Sequence, residues 1–225
     1  MHQLIDKKYK IVTYLIFLFI LSTTTGKFTE NQKSYSSTIN TINVTGLSNN
    51  DNLKISQKLN KLIYENILFI RKEKVERIIN QYNIIEEFSI KKIYPSTINV
   101  IIKPTKLVAR LSGSDQLLIG ENGKLVEDRV NDKILPHVFG EFNVNEFLVF
   151  KKKIEESRFI FSKFKILYFF PSKRWDILTN NDILIKLPQD NFSESLNLAY
   201  KIISSDDFKD IKIIDLRINN HLIVK

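Results

Sequence analysis

Hydrophobic and polar positions change their pattern several times along this chain. Residues 11–21, IVTYLIFLFIL, form a nearly unbroken apolar run beside Lys7, Lys8 and Lys10. Such a run behind lysines reads as a membrane anchor, with the basic flank in the cytoplasm and the following residues exported. Counted through Thr25 the run has fifteen residues, about 22 Å of helix at 1.5 Å per residue. That is short of the roughly 17–25 residues of a spanning helix. A cleaved signal peptide, with an apolar stretch of about 7–15 residues, is the alternative. The sequence STTTGKF that follows lacks an Ala-x-Ala-like cleavage site. The reading adopted is an uncleaved anchor over 11–25 behind a cytoplasmic tail of residues 1–10. Residues 26–38 are polar and aperiodic, and read as a linker.

From Ile39 the pattern becomes that of a packed domain. Ile39, Ile42 and Val44 begin a strand that stops at Gly46, and Ser48, Asn49, Asn50 and Asp51 are helix N-cap candidates. Leu53, Ile55, Leu59, Leu62 and Ile63 recur at helical spacing, as do Val75, Ile78 and Ile79 in a second helix over 71–81. Strands are expected over 84–94 and 97–104, turned by Pro95 and Ser96. The order β-α-α-β-β is a compact α+β unit, expected over 39–107, with two helices on one face of a small sheet.

Residues 108–225 are richer in strands. A hairpin is expected over 117–126 around the Glu121-Asn122-Gly123 turn. A helix is expected within 142–163, carrying Phe147, Phe150, Ile154 and Ile160. Strands follow over 165–170, 174–178 and 183–187, the last pair turned by Asn180 and Asn181. A helix over 193–204 has Leu196, Leu198, Ile202 and Ile203 for its inner face. The chain closes with a strand over 211–217, an Asn219-Asn220 turn and a short strand, HLIVK, expected to form a sheet edge. This second part reads as a mixed, mainly antiparallel sheet domain with flanking helices, so the fold class is α+β throughout.

Composition agrees with real cores: 43% of the 225 residues are hydrophobic and 11% aromatic. The chain has no cysteine and three histidines, His2, His137 and His221. Disulfides and thiolate chemistry are excluded, and a histidine metal site is disfavoured. The net charge of +9 is distributed as +3 over residues 1–33, +5 over 34–107 and +1 over 108–225. The excess therefore lies beside the anchor, where it favours anionic headgroups over nucleic acid.

Catalytic candidates are weak. Ser112, Ser114 and Asp115 with His137 contain the residue types of a hydrolytic triad, but no strand-turn-helix GxSxG context supports them. Glu86-Glu87 and Glu155-Glu156 are neighbours, which on a helix do not face each other. Lys151-Lys152-Lys153 reads as a solvated helix face, and Trp175 as a core residue. No enzyme activity is expected. Asp215 and Arg217 alternate with Ile214 and Leu216, so in a strand the two charged residues share one face. For Asp215 the plain reading is an ion pair within the chain. Arg217, at the mouth of the last hairpin, could hold a carboxylate of an incoming chain in bidentate fashion.

Several stretches resemble the FtsQ/DivIB family of bacterial cell-division proteins. INVTGL (Ile42–Leu47) is similar to the strand-glycine opening of a POTRA domain. KKIYPSTINVIIKPTKLVAR (Lys91–Arg110) resembles the family hairpin that leads into a small apolar segment. ILPHVFG (Ile134–Gly140), KRWDILTNNDILIKLP (Lys173–Pro188) and IIDLR (Ile213–Arg217) resemble its later signatures. Against the family pattern, the segment before the anchor is short and many relatives continue past the position of Lys225.

The resemblance implies a single-pass inner-membrane protein with a POTRA domain and an FtsQ-type β domain, acting as a divisome scaffold at the septum. It implies binding to the periplasmic parts of FtsB and FtsL by strand addition at the last edge. Lys173 or Arg174 and Arg217 would hold a partner acid, and Ile218, Asn220, Leu222 and Val224 would line the pairing strand. No cofactor, metal, nucleic acid or small-molecule substrate is implied. A POTRA-containing periplasmic chaperone or outer-membrane assembly factor is the alternative, which would call for tandem POTRA units or a barrel.

Overall fold

The structure, a computed structural model, describes residues 7–23, 37–113, 117–127, 134–205, 210–218 and 221–225. The first element, α1 (Lys7–Thr23), contains the apolar run as far as Thr23. Its apolar side chains from Ile11 to Leu21 are all at least half exposed. Seventeen residues rise about 26 Å. Among the described residues no helix is long and apolar enough to cross a membrane.

A three-stranded sheet follows, built from β1 (Thr41–Thr45), β2 (Ile85–Ile93) and β3 (Thr97–Pro104) in the order β1-β3-β2. β1 runs parallel to β3 and β2 antiparallel to it. The parallel pairing requires a crossover, supplied by α2 (Asn49–Leu59) and α3 (Lys72–Ile79). Ser48 caps α2, its hydroxyl accepting from Asp51 N–H. Ile55, Leu59, Val75 and Ile79 pack on Ile98, Val100 and Ile102, the inward face of β3. Gly46 ends β1 at φ 113°, where a Cβ would lie 1.7 Å from Ile102 O. Only glycine fits that crossing of chain over sheet.

The second sheet has nine strands: β4 (Leu107–Leu111), β5 (Leu117–Gly120), β6 (Leu125–Glu127), β7 (His137–Phe139), β8 (Phe164–Phe169), β9 (Trp175–Thr179), β10 (Leu184–Lys186), β11 (Ile213–Asp215) and β12 (Ile223–Val224). Their order is β12-β11-β10-β9-β8-β7-β4-β5-β6. The pairs β4/β7, β7/β8 and β10/β11 are parallel and the others antiparallel. Helices α4 (Val144–Glu155) and α5 (Phe192–Ile203) bury Phe147, Phe150, Ile154, Leu196, Ala199 and Ile202 in the core on one face. A capping box of Asn143 and Glu146 starts α4. Trp175 lies in that core, stacked on Phe150 at 4.5 Å between ring centroids. Gly140 repeats the device of Gly46: at φ 109°, a Cβ would meet Phe169 O at 2.2 Å.

The two cores are separate, and a polar joint connects the sheets. The Asn122 side chain donates to Asn83 O (2.9 Å) and Ile85 O (3.2 Å), and Asn83 donates to Leu125 O (2.8 Å).

Several expectations are corrected. α4 stops at Glu155, and Ile160 is 62% exposed while Phe161 and Phe164 turn inward through a 3-10 turn. On α5, Ala199 takes the inner position expected for Leu198, which is exposed. Leu53 is likewise exposed at the start of α2. Lys151 is not a solvated residue: it is 6% exposed and bridges Glu121 (3.0 Å) and Glu155 (2.7 Å). Regular pairing covers only Ile213–Asp215 of the strand expected over 211–217, and only Ile223–Val224 of HLIVK.

Candidate partner-binding edge

Register carries one row of side chains across the end of the nine-stranded sheet. Asp176 on β9 lies beside Lys186 on β10, Lys186 beside Asp215 on β11, and Asp215 beside Ile223 on β12. Their alternate neighbours Ile177, Ile185 and Ile214 belong to the core beneath the helices. By strand alternation, the row therefore occupies the opposite face. Tyr168 and Phe139 continue it on β8 and β7, their rings stacked at 5.4 Å.

Asp215 is held by Arg217. Nε donates to both carboxylate oxygens at 2.9 and 3.0 Å, Nη2 to Oδ2 at 2.6 Å, and the Arg217 backbone N–H to Oδ1 at 3.2 Å. These donors, the guanidinium first, hold the Asp215 carboxyl below its usual range and raise Arg217. Arg217 is thus already engaged within the chain while its outer side remains exposed. It lines a concavity of about 280 Å³ with Asp215, Ile218, His221 and Ile223.

Arg174 is oriented differently. Its guanidinium carbon lies 4.2 Å from the centroid of the Phe170 ring, a cation–π arrangement. Nη1 donates to Ser172 Oγ at 3.4 Å. Its Nε stands 3.5 Å from Asp176 Oδ1, near enough for charge attraction, but Oδ1 makes no hydrogen bond among the described residues. Asp176 is 3% exposed. Burial pushes its carboxyl up, against the pull of Arg174, Lys186 and Arg217. Lys173 is exposed in the β8–β9 turn at φ 57°, its N–H donating to Phe170 O at 2.8 Å.

Backbone bonding decides what β12 offers. Lys225 N–H donates to Ile213 O and Lys225 O accepts from Ile213 N–H, both at 3.0 Å. Residues 213 and 225 are therefore a hydrogen-bonded pair, and the next pair inward, Ile214 and Val224, is a non-hydrogen-bonded one. The N–H and C=O of Val224 consequently point away from β11, out of the open side of the sheet.

Of the residues expected at this site, Arg217, Ile218, Leu222 and Val224 lie in or beside β12, whereas Lys173 and Arg174 lie at the β8–β9 turn, with β10 and β11 between β9 and β12. Ile218 and Leu222 flank the strand and are 61% and 43% exposed. Asn220 and the Asn219-Asn220 turn lie outside the described residues. Sequence reasoning missed Phe170, Asp176, Lys186 and Ile223. Asp176 was within reach, since it alternates with Trp175 and Ile177 as Asp215 does with Ile214 and Leu216. Of the triad candidates, Ser114 and Asp115 lie outside the described residues. Ser112 Oγ makes no hydrogen bond among them, so it has no bond to His137.

Comparison with known proteins follows the same division of the chain. Residues 37–103 match the POTRA domain, FtsQ-type, and residues 109–217 match the C-terminal region of cell division protein FtsQ/DivIB. The chain is 23% identical over 192 residues to cell division protein FtsQ of Rhizobium meliloti (strain 1021), covering 83% of this chain. It spans 62% of that relative's length. It is 23% identical over 146 residues to the FtsQ proteins of Rhizobium radiobacter and Agrobacterium fabrum, covering 63% of this chain and 70% and 46% of those proteins. With both matched regions in order and on separate sheets, the chain belongs to the FtsQ/DivIB family of cell division proteins.

Proposed function

We propose that this protein is a membrane-anchored scaffold of the division septum that binds the exported parts of FtsB and FtsL by adding a partner strand to β12. The observation that carries this reading is the outward-facing Val224 N–H and C=O on the last strand of a nine-stranded sheet. An extended segment supplies the complementary donors and acceptors, and side chains beside the edge give selectivity. Arg217 presents positive charge there, with Lys173 and Arg174 farther along the same end of the sheet, suited to an acidic partner segment. The role is that of a scaffold, not a catalyst.

Anchoring falls to α1, whose apolar residues are exposed all round the helix, as lipid-facing side chains are. At about 26 Å it is shorter than a bilayer core of about 30 Å, so the proposed span requires local thinning and lysines reaching the interface. The proposed orientation places the N-terminus in the cytoplasm and both sheets in the periplasm.

The test is titration of the detergent-solubilised full chain with exported segments of FtsB and FtsL, separately and together. Saturable binding that is lost with a Val224→Pro variant of unchanged thermal stability is expected. Binding unaffected by that variant would move recognition away from β12.

A further inference from the structure

The end of the N-terminal unit where the chain enters carries an exposed apolar cluster that the division reading does not use. Tyr64 and Phe69 are each 80% exposed, Leu68 53%, Ile93 49% and Tyr94 59%. They come from two segments, and the fold brings both to one place. Ile39 exchanges backbone hydrogen bonds with Tyr64 and Glu65, Ile67 N–H donates to Ser37 O, and Asn40 N–H donates to Ser96 O. Lys92 Nζ, on the β2–β3 hairpin, donates to Ile70 O at 3.0 Å. The loop 63–70 and the hairpin tip therefore surround residues 37–41, where the chain arrives from α1.

Burial alone does not account for this arrangement. Tyr64 sits at φ 72°, a left-handed conformation costly for an aromatic residue, yet its ring stays in solvent. Charge at this end is basic. Lys61, Arg71, Lys72, Lys74, Lys91 and Lys92 stand in or beside these segments, against Glu65, Glu73 and Glu76. Lys74 is paired with Glu65 and Lys72 with Glu76, while Lys61, Arg71 and Lys91 are exposed. Tyrosine, phenylalanine and isoleucine among lysines is the composition of a surface that rests in the headgroup layer.

We infer that this end of the N-terminal unit docks onto an anionic bilayer, with Phe69, Tyr64 and Tyr94 in the interface and the exposed Lys61, Arg71 and Lys91 on lipid phosphates. The occupant follows from chain continuity: thirteen residues, 24–36, join α1 to this end. Thirteen residues reach at most about 45 Å, which keeps this end of the unit near the membrane in which α1 is proposed to sit. This inference rests on the reading of α1 as a membrane anchor. Docking fixes the orientation of the unit on the membrane, and with it the height at which the second sheet is presented.

The absence of cysteine makes the test clean. Single variants Phe69→Cys, Val149→Cys and Ile16→Cys of the full chain are labelled with an environment-sensitive dye. They are placed in nanodiscs of equal parts phosphatidylglycerol and phosphatidylcholine carrying headgroup or acyl-chain nitroxide lipids. Val149 is 61% exposed on α4 and serves as the comparison. The expected result is severalfold stronger headgroup quenching at 69 than at 149, diminished in phosphatidylcholine alone. Equal quenching at 69 and 149 overturns the inference. So does a label at 69 that is shielded from water yet not quenched, which would mean a protein covers it. Position 16 separately reports the anchor through acyl-chain quenching, so a failure there is distinguishable, and position 69 decides the docking in either case.

Discussion

Val224 stands opposite Ile214 without exchanging a hydrogen bond with it, while its neighbours on either side face β11 with theirs. Proline at 224 therefore removes a donor that points outward, whereas proline at 223 removes one directed at Asp215 of β11. Val224→Pro is expected to abolish strand addition with little change in unfolding temperature. Ile223→Pro is expected to lower that temperature. Identical thermal shifts for the two variants would contradict the register.

Arg217 is already clasped by Asp215 and remains partly exposed, so in the proposed complex its contribution would be screened. Arg217→Gln is expected to slow association and to flatten its salt dependence more than it speeds dissociation. Stopped-flow rates at two ionic strengths check this. An effect confined to the dissociation rate would mean the guanidinium becomes buried in the complex.

The two aspartates of the row respond to pH in opposite senses. Asp215 has a lowered carboxyl, so it stabilises the fold above its unfolded-state value, and that contribution disappears as pH falls through the folded one. Asp176 has a raised carboxyl. Its favourable contribution is complete below the unfolded value and is lost as pH rises through the folded one. In denaturant unfolding between pH 7 and 3, Asp215→Asn should remove part of the acid-side loss of stability. Asp176→Asn should gain on the wild type as pH rises. Parallel curves for both variants would show that neither carboxyl is shifted.

Lys151 joins α4 to the β5–β6 turn through Glu121 and also holds Glu155. Although burial opposes its charge, the two carboxylates raise its pKa, and Glu121 is lowered in turn. Since both carboxylates remain partly exposed, water recovers some of the loss. Lys151→Met is expected to cost about 1.5–3 kcal/mol, against little for Lys152→Met. Equal effects in equilibrium unfolding would mean the buried position has no energetic weight.

Gly46 and Gly140 each bring the backbone against a carbonyl at positive φ. Alanine at either position combines left-handed strain with a clash, and should destabilise its own sheet by about 3 kcal/mol. Hydrogen exchange resolved by segment tells the sheets apart. Gly46→Ala should loosen β1–β3, and Gly140→Ala the β7–β8 region. A uniform loss of protection would mean that the sheets share one cooperative unit.

Legibility in the sequence followed the length of each element. β3 spans Thr97–Pro104 as expected because Ile98, Val100 and Ile102 alternate through a full strand. β7 was not foreseen: three residues between Pro136 and Gly140 leave no room for a period. Arg217 and Asp215 were legible as a pair because they are two apart in an alternating run, although regular pairing stops at Asp215. The stacking of Arg174 on Phe170 was not, since it depends on a turn held by Lys173 at positive φ. Lys151 was misread for a related reason. Its partner Glu121 is thirty positions away, and only the packed sheet brings the β5–β6 turn over α4.

The last strand, β12, spans two residues, with Lys225 bonded to β11 beyond them. A long flat edge would invite copies of the chain to stack on one another, and short edge strands are one way that proteins prevent it. So short a strand gives an incoming segment too few backbone bonds to be held by them alone. A stray β-strand would gain little there, and a second copy would gain no more. In the proposed binding mode, a ligand stays only if it also engages Arg217 and the concavity beside it, so the brevity of the strand would act as a filter against self-association.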